Sequence, residues 1–410
     1  MRSEWKECLL GDAITLKRGY DLPAKDRRPG AFPIISSSGF TDQHAEAMVK
    51  GPGVVTGRYG TIGSVYYVAG DFWPLNTTLY VQDFKGNDRR FIAYLLQTVD
   101  FLQFSDKAAV PGVNRNHLHT ARIVLPPLEE QGRISSILQS LDDRITLLRE
   151  TNATLESIAQ AIFKSWFIDF DPVRAKAEGR EPDGMDAATA ALFPAEFDES
   201  ALGLIPKGWR PGTLLDLAEL NQHSWTKLNA PEAVEYIDLT SVKANVFEQP
   251  RHLSFSEAPS RARRALKSGD TIVGTVRPGN RSFGFIATAT PGLTASTGFA
   301  VLSPQHPSAA SFVYLSATRD ENIHRLASLA DGGAYPAVRP ELVGATECLV
   351  PSDTVLIQFE ATAGGLLAAI AANAKRAQTL ADLRDTLLPR LVAGKLRLLE
   401  AQEQVEDSLT

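Results

Sequence analysis

The chain has 410 residues, 44% of them hydrophobic and 22% charged, which suits a globular protein with room for two cores of roughly 120–150 residues each. Its two cysteines, Cys8 and Cys348, exclude a disulfide framework and fit the reducing cytoplasm. The net charge of −6 counts against a nucleic-acid partner until its distribution is read: residues 171–200 hold eight acids and three bases, residues 400–410 hold four acids and no base, and the remainder is left at +3.

Residues 1–7 contain no apolar run, so no secretory signal is expected. Residues 1–127 read as one α/β unit. Short β-rich runs at 32–35, 54–56, 64–68, 78–81 and 122–125 alternate with Gly/Pro turns and a helix over 89–98, and Pro126-Pro127 ends the unit. Residues 128–169 form a first helical arm. Apolar residues recur there at Ile134, Leu138, Leu141, Ile145, Leu148, Asn152, Leu155, Ala159, Ile162 and Trp166, a strict 4-3 alternation with one polar interruption that marks the seam of a coiled coil. Residues 170–200 are an acidic linker.

Residues 201–352 repeat the plan, with strands near 236–239, 270–273, 282–287 and 298–302, a helix over 309–318, and a stop at Pro351. A second arm, 353–399, carries a looser seam through Phe359, Ala363, Leu366, Ile370, Asn373, Ala377, Leu380, Arg384, Leu387 and Leu391. Its longest apolar stretch, 361–374, is broken by Thr362, Gly364-Gly365 and Asn373, which makes it too short to span a bilayer. Residues 400–410 are an acidic tail.

The halves are copies. Residues 111–166 map onto 336–391 at an offset of 225, pairing Pro126 with Pro351, Ile145 with Ile370, Leu155 with Leu380 and Ile162 with Leu387. Each half opens on a Trp followed by a Leu pair: Trp5 with Leu9-Leu10, and Trp209 with Leu214-Leu215. The fold expected is therefore α+β, two similar α/β domains separated by two long coiled-coil helices with a pseudo-two-fold repeat. A seam of 33 residues gives an arm of roughly 50 Å. Asn152 and Asn373 would fix the register of the arms at some cost in stability.

The loop Gly57-Arg58-Tyr59-Gly60-Thr61-Ile62-Gly63 is no dinucleotide fingerprint, because it lacks the Gly-x-Gly core. Its glycines permit close backbone approach to a duplex, where Arg58 can pair with a guanine edge and Tyr59 or Thr61 can bond phosphate. Arg277, Asn280 and Arg281 form the matching cluster in the second half, with Asn suited to adenine. Asn114 and Arg115, with Arg339 in the repeat position, are further candidates for DNA contact; the alternative for each of these is a scaffolding turn. Residues 260–267 carry four bases and read either as a solvated basic helical turn or as phosphate anchors. His117 and His119 have metal-like spacing but no neighbouring ligand in sequence, so a surface role is expected. No hydrolase elbow, phosphate-binding Walker loop, metalloprotease helix or adenine-methyltransferase signature occurs, so a non-catalytic chain without a cofactor is expected.

Several of these stretches resemble the DNA-specificity subunit of type I restriction-modification systems. They are Trp166-Phe167-Ile168-Asp169-Phe170-Asp171-Pro172-Val173-Arg174-Ala175-Lys176 at the end of the first arm, Leu204-Ile205-Pro206-Lys207-Gly208-Trp209 opening the second unit, Pro126-Pro127-Leu128-Glu129-Glu130-Gln131, the Gly57–Gly63 loop and its counterpart Val276-Arg277-Pro278-Gly279-Asn280-Arg281. The resemblance implies two target-recognition domains, each reading half of a split double-stranded DNA sequence. It also implies that the two coiled-coil arms pack antiparallel as a ruler and dock two methyltransferase subunits, with nuclease-translocase subunits joining through the complex. Two other readings stay open: a single-chain DNA methyltransferase with divergent motifs, and a pure assembly scaffold.

Overall fold

A computed structural model describes residues 5–105, 112–200, 203–333 and 335–409. Pro111, the first residue of the sequence repeat, lies outside the described residues. The chain divides into two compact units, one made of residues 1–147 with 376–410 and the other of residues 148–375. The division passes through both long helices, so each unit holds one α/β domain and a stretch of both arms.

In the first unit a four-stranded antiparallel sheet has the order Thr15–Arg18, Thr78–Asp83, Gly53–Gly57, Val65–Val68. Val54 and Val55 are both fully buried, which is why this central strand reads as an apolar run and not as an alternation. A smaller sheet pairs Phe32–Ser36 with Gly39–His44 antiparallel and with Trp73–Pro74 parallel. Lys6–Leu9 pairs with Arg122–Leu125. The helix Arg89–Gln97 is capped by Asp88, whose carboxylate accepts from the Phe91 amide at 2.6 Å.

The second unit repeats this topology with an added strand in its other sheet: Ala218–Leu220, Phe299–Pro304, Thr271–Gly274 and Phe283–Phe285 form one sheet, and Glu347–Val350 pairs with Arg210–Thr213. The other sheet runs Arg251–Ser254, Ala233–Ile237, Leu293–Ser296, Ala262–Ala265, again with one parallel pair. The basic stretch 260–267 is thus built around an edge strand and is not a helical turn. Backbone pairing with Leu293–Ser296 outweighs the helical preference of its arginines.

Both arm helices are 40 residues long, Leu128–Phe167 and Asp353–Val392, and they start 225 residues apart. The second is apolar and long enough to cross a membrane by length and composition, which its broken apolar run does not suggest; a third of its most apolar window is buried. Along the first arm Leu138, Leu141, Ile145 and Leu148 are buried as expected, while Leu155 and Ile162 are half-buried. In the second arm Ile370, Leu380 and Leu387 are buried, but Leu366 is only half-buried and its neighbour Leu367 takes the core position. A π-helical turn at Glu360–Gly364 lies just before this exchange, and from Ile370 onward the buried positions keep the expected register. The arms run antiparallel in the second unit, where Asn152 meets Asn373 and Phe163 meets Phe359. The acidic tail is a helix, Leu398–Leu409, with Ala401 and Val405 buried.

Candidate nucleic-acid interface

In the first unit the 57–63 loop leaves the end of strand Gly53–Gly57. Gly57 has no room for a side chain, since an added Cβ would lie 1.8 Å from the Thr61 carbonyl. Gly60 and Gly63 have φ of +75° and +81°, the left-handed conformation that glycine tolerates best. These constraints bend the chain so that Arg58 and Tyr59 stand side by side, with the guanidinium 4.6 Å from the ring centroid. Arg58 Nε also donates to the Val113 carbonyl at 3.3 Å, and the Val113 amide donates back to the Arg58 carbonyl at 3.0 Å. Tyr59 in turn lies on bare Gly112, where an added Cβ would be 2.1 Å from the ring. Arg58 and Tyr59 therefore present a fixed cation–π pair, and Thr61 is exposed beside them.

Asn114 and Arg115 come next in the chain, but Asn114 serves locally: its side-chain oxygen accepts from the Asn116 amide at 2.9 Å and caps the turn Arg115–Leu118. Arg115 is exposed. His119 Nε2 accepts from the Leu16 amide at 3.0 Å. Burial, and then the charges of Lys85 and Arg115, hold its pKa below the usual histidine value. Among the described residues no group of three His, Cys, Asp or Glu side chains could hold a metal ion.

The second unit carries the same framework with different side chains. The Gly274 amide donates to the Ser282 carbonyl as the Gly57 amide donates to that of Ser64, and the Val338 amide donates to Thr275 as the Val113 amide donates to Arg58. The structural counterpart of Arg58 is therefore Thr275, and Arg277 sits two residues further along its loop. Arg277 has φ of +48°, and its guanidinium stacks 4.8 Å from the ring of Tyr335, supplied by the facing loop. Each unit thus carries an Arg–Tyr stack on this loop, Arg58 with its chain neighbour Tyr59 and Arg277 with Tyr335 of a facing loop. Asn280 is exposed on the turn. Arg281 is committed elsewhere: it forms an ion pair with Asp320 at 2.7 Å, at the N-terminus of the helix Asp320–Ser328. Arg339 is exposed and precedes the turn Pro340–Gly344.

Arg18, Arg27 and Arg28 pair with Asp21, Asp42 and Glu46, so the stretch 17–28 is largely neutralised in place. Tyr335 and Phe40, which is 64% exposed at the neighbouring hairpin, had no signal in sequence, because only the fold brings their loops beside the arginines.

Comparison with known proteins gives this surface its context. Residues 2–157 match the family model described as the type I restriction modification DNA specificity domain. The chain is 25% identical over 462 aligned residues to the type I restriction enzyme HindI specificity subunit of Haemophilus influenzae, covering 96% of this chain and 100% of that one. It is 25% identical over 380 residues to the type I restriction enzyme MjaIX specificity subunit of Methanocaldococcus jannaschii, covering 86% and 79% respectively. Its fold is that of the type I restriction-modification S subunit from M. genitalium, with a TM-score of 0.59 and 14% identity over 96% of this chain and 97% of the other.

Proposed function

From a chain that is a type I specificity subunit for DNA recognition in its family match and whole-length similarity, we propose that it reads a bipartite duplex target, one half-site per domain, and docks methyltransferase subunits through its arms. The observation that carries the bipartite reading is the duplicated Arg–Tyr stack, Arg58 with Tyr59 and Arg277 with Tyr335, at equivalent loops of two equivalent domains. A planar donor fork held against an aromatic ring is suited to bidentate contact with a guanine edge. Asn280, Thr61, Arg115 and Arg339 add polar groups around it; Asn114 and Arg281 support the loops from below. Methyltransferase subunits supply S-adenosylmethionine chemistry, and nuclease-translocase subunits join through that complex.

The test is selection of bound sequences from randomised duplexes, with the chain alone and in the complex with which it co-purifies. Two short defined blocks separated by an undefined spacer are expected. A single continuous block would overturn the bipartite reading. Methylation by the chain unaided would favour the single-chain methyltransferase, and sequence-indifferent behaviour in the complex would favour the scaffold.

A further inference from the structure

In the second unit, a charged cluster stands at the end of the sheet next to the Arg277 loop. Asp238 follows strand Ala233–Ile237, Arg251 opens Arg251–Ser254, and Arg261 precedes Ala262–Ala265. Arg251 Nη2 donates to Asp238 Oδ2 at 2.8 Å, and Arg261 Nη2 lies 4.0 Å from the same oxygen. Buried Tyr236 serves both arginines: its hydroxyl accepts from Arg261 Nε at 3.0 Å, and its ring lies 5.2 Å from the Arg251 guanidinium. Both arginine side chains are more than half exposed, while Asp238 is largely buried. The cluster adjoins the loop directly. The Arg261 carbonyl accepts from the Thr297 amide, the Gly298 carbonyl accepts from the Thr275 amide, and Leu239 fills the space over Gly274 and Gly298.

The fold does not require this cluster. The corresponding sheet of the first unit has three strands, with no counterpart of Ala262–Ala265, and beside the turn that joins Phe32–Ser36 to Gly39–His44 it carries Ser36, Ser38 and Thr41, their hydroxyls 2.8–2.9 Å apart. The first unit folds without a counterpart of this cluster, so we take the cluster as a candidate for binding.

Resting on the bipartite reading above, we propose that Arg251 and Arg261, oriented by Asp238 as a positioning residue, read guanine in the half-site of the second unit. Phosphate anchoring fits less well. A carboxylate 2.8 Å from the guanidinium weakens its pull on a phosphate yet leaves a rigid fork with free donor edges, which is what pairing with guanine O6 and N7 uses. Asp238 suits the positioning role: burial raises its pKa, but the Thr240 hydroxyl and amide and the Arg251 charge more than offset this and keep it ionised.

The experiment compares selection profiles of the full chain with those of Arg251→Ala, Arg261→Ala, Arg251→Lys and Asp238→Asn, alone or in its co-purifying complex. Each Ala variant is expected to lose about tenfold to a hundredfold of preference at one guanine position, in one half-site only. Arg251→Lys, which keeps the charge and loses the fork, should lose it too, and Asp238→Asn should blur the same position. In the wild type, 7-deazaguanine at that position should reproduce the loss. The unaltered second block is the internal control for folding. A uniform loss over all sequences with a shallower salt dependence, or profiles identical to wild type, would overturn the assignment while leaving the bipartite reading intact. If the wild type selects no sequence, both readings fall.

Discussion

At the scale of residues, the interface rests on small side chains as much as on charged ones. Gly112 exists to seat Tyr59: a methyl group there would lie 2.1 Å from the ring and would have to push it off the Arg58 guanidinium. Gly112→Ala is therefore expected to impair reading of the first half-site as Tyr59→Ala does, while the second half-site stays as it was. Arg58→Ala and Arg277→Ala should each cost roughly 1–3 kcal/mol of base discrimination in one half only. Binding to duplexes randomised in one half at a time measures both effects, and equal loss in both halves from either variant would refute the assignment. The cysteines have no part in this chemistry. The Cys348 thiol is pushed up to about 12, first by burial and then by the nearby Asp216 charge, and burial likewise raises Cys8. Since the thiolate is the nucleophile, neither should alkylate quickly at neutral pH until the protein unfolds, which mass spectrometry of timed labelling would show.

At the scale of elements, the π-helical turn in the second arm supplies a tertiary cap. The helix Ala310–Thr318 has no side-chain cap of its own; its Ser311 amide donates instead to the Glu360 carboxylate, at 2.8 Å. Gly364 leaves the space for that carboxylate, for an added Cβ would lie 2.5 Å from Glu360 Oε1. Helix propensity alone predicts that Gly364→Ala stabilises the arm by about 1 kcal/mol. Loss of the tertiary cap predicts a cost of roughly 0.5–2 kcal/mol. The structure favours a net loss, so a lower Tm is expected, and a raised Tm would show that the cap contributes little. In the first unit Asp142 accepts from Tyr94 at 2.6 Å and from Arg384 at 2.8 Å, linking domain helix, first arm and second arm. Arg384→Leu removes a charge-assisted bond worth roughly 1.5–3 kcal/mol, partly offset by a better apolar seam. Denaturant unfolding should register a net destabilisation.

At the scale of the whole molecule, the proposed function makes the arms the spacer between half-sites. Four residues inserted between Leu148 and Asn152 add about 6 Å of helix and rotate the rest of the arm by about 40°. They also introduce a stutter and displace Asn152 from Asn373, which it now meets at 3.0 Å. The insertion should lengthen the undefined spacer or abolish assembly, with the bases read in each half unchanged. Mapping of methylated sites in the mutant complex distinguishes these from a change of bases, which would show that the arms are not the spacer.

Much of this architecture is written locally. The 4-3 spacing from Ile134 to Trp166 and the apolar run at Val54-Val55 depend on neighbours a few residues apart, and the 225-residue repeat is a likeness of one stretch to another, so the sequence by itself determined two similar domains and two long amphipathic helices. What only the tertiary structure decided are contacts between distant segments. Leu367 rather than Leu366 fills the seam next to a π-helical turn at Glu360–Gly364; Arg58 answers to Thr275 and not Arg277 because backbone bonds, not loop spelling, align the domains. Residues 262–265 became a strand through pairing with 293–296, and Arg277 found Tyr335 on a facing loop. Periodicity is a property of one segment's own geometry, whereas these choices compare the free energies of alternative packings between segments, which spacing along the chain does not encode.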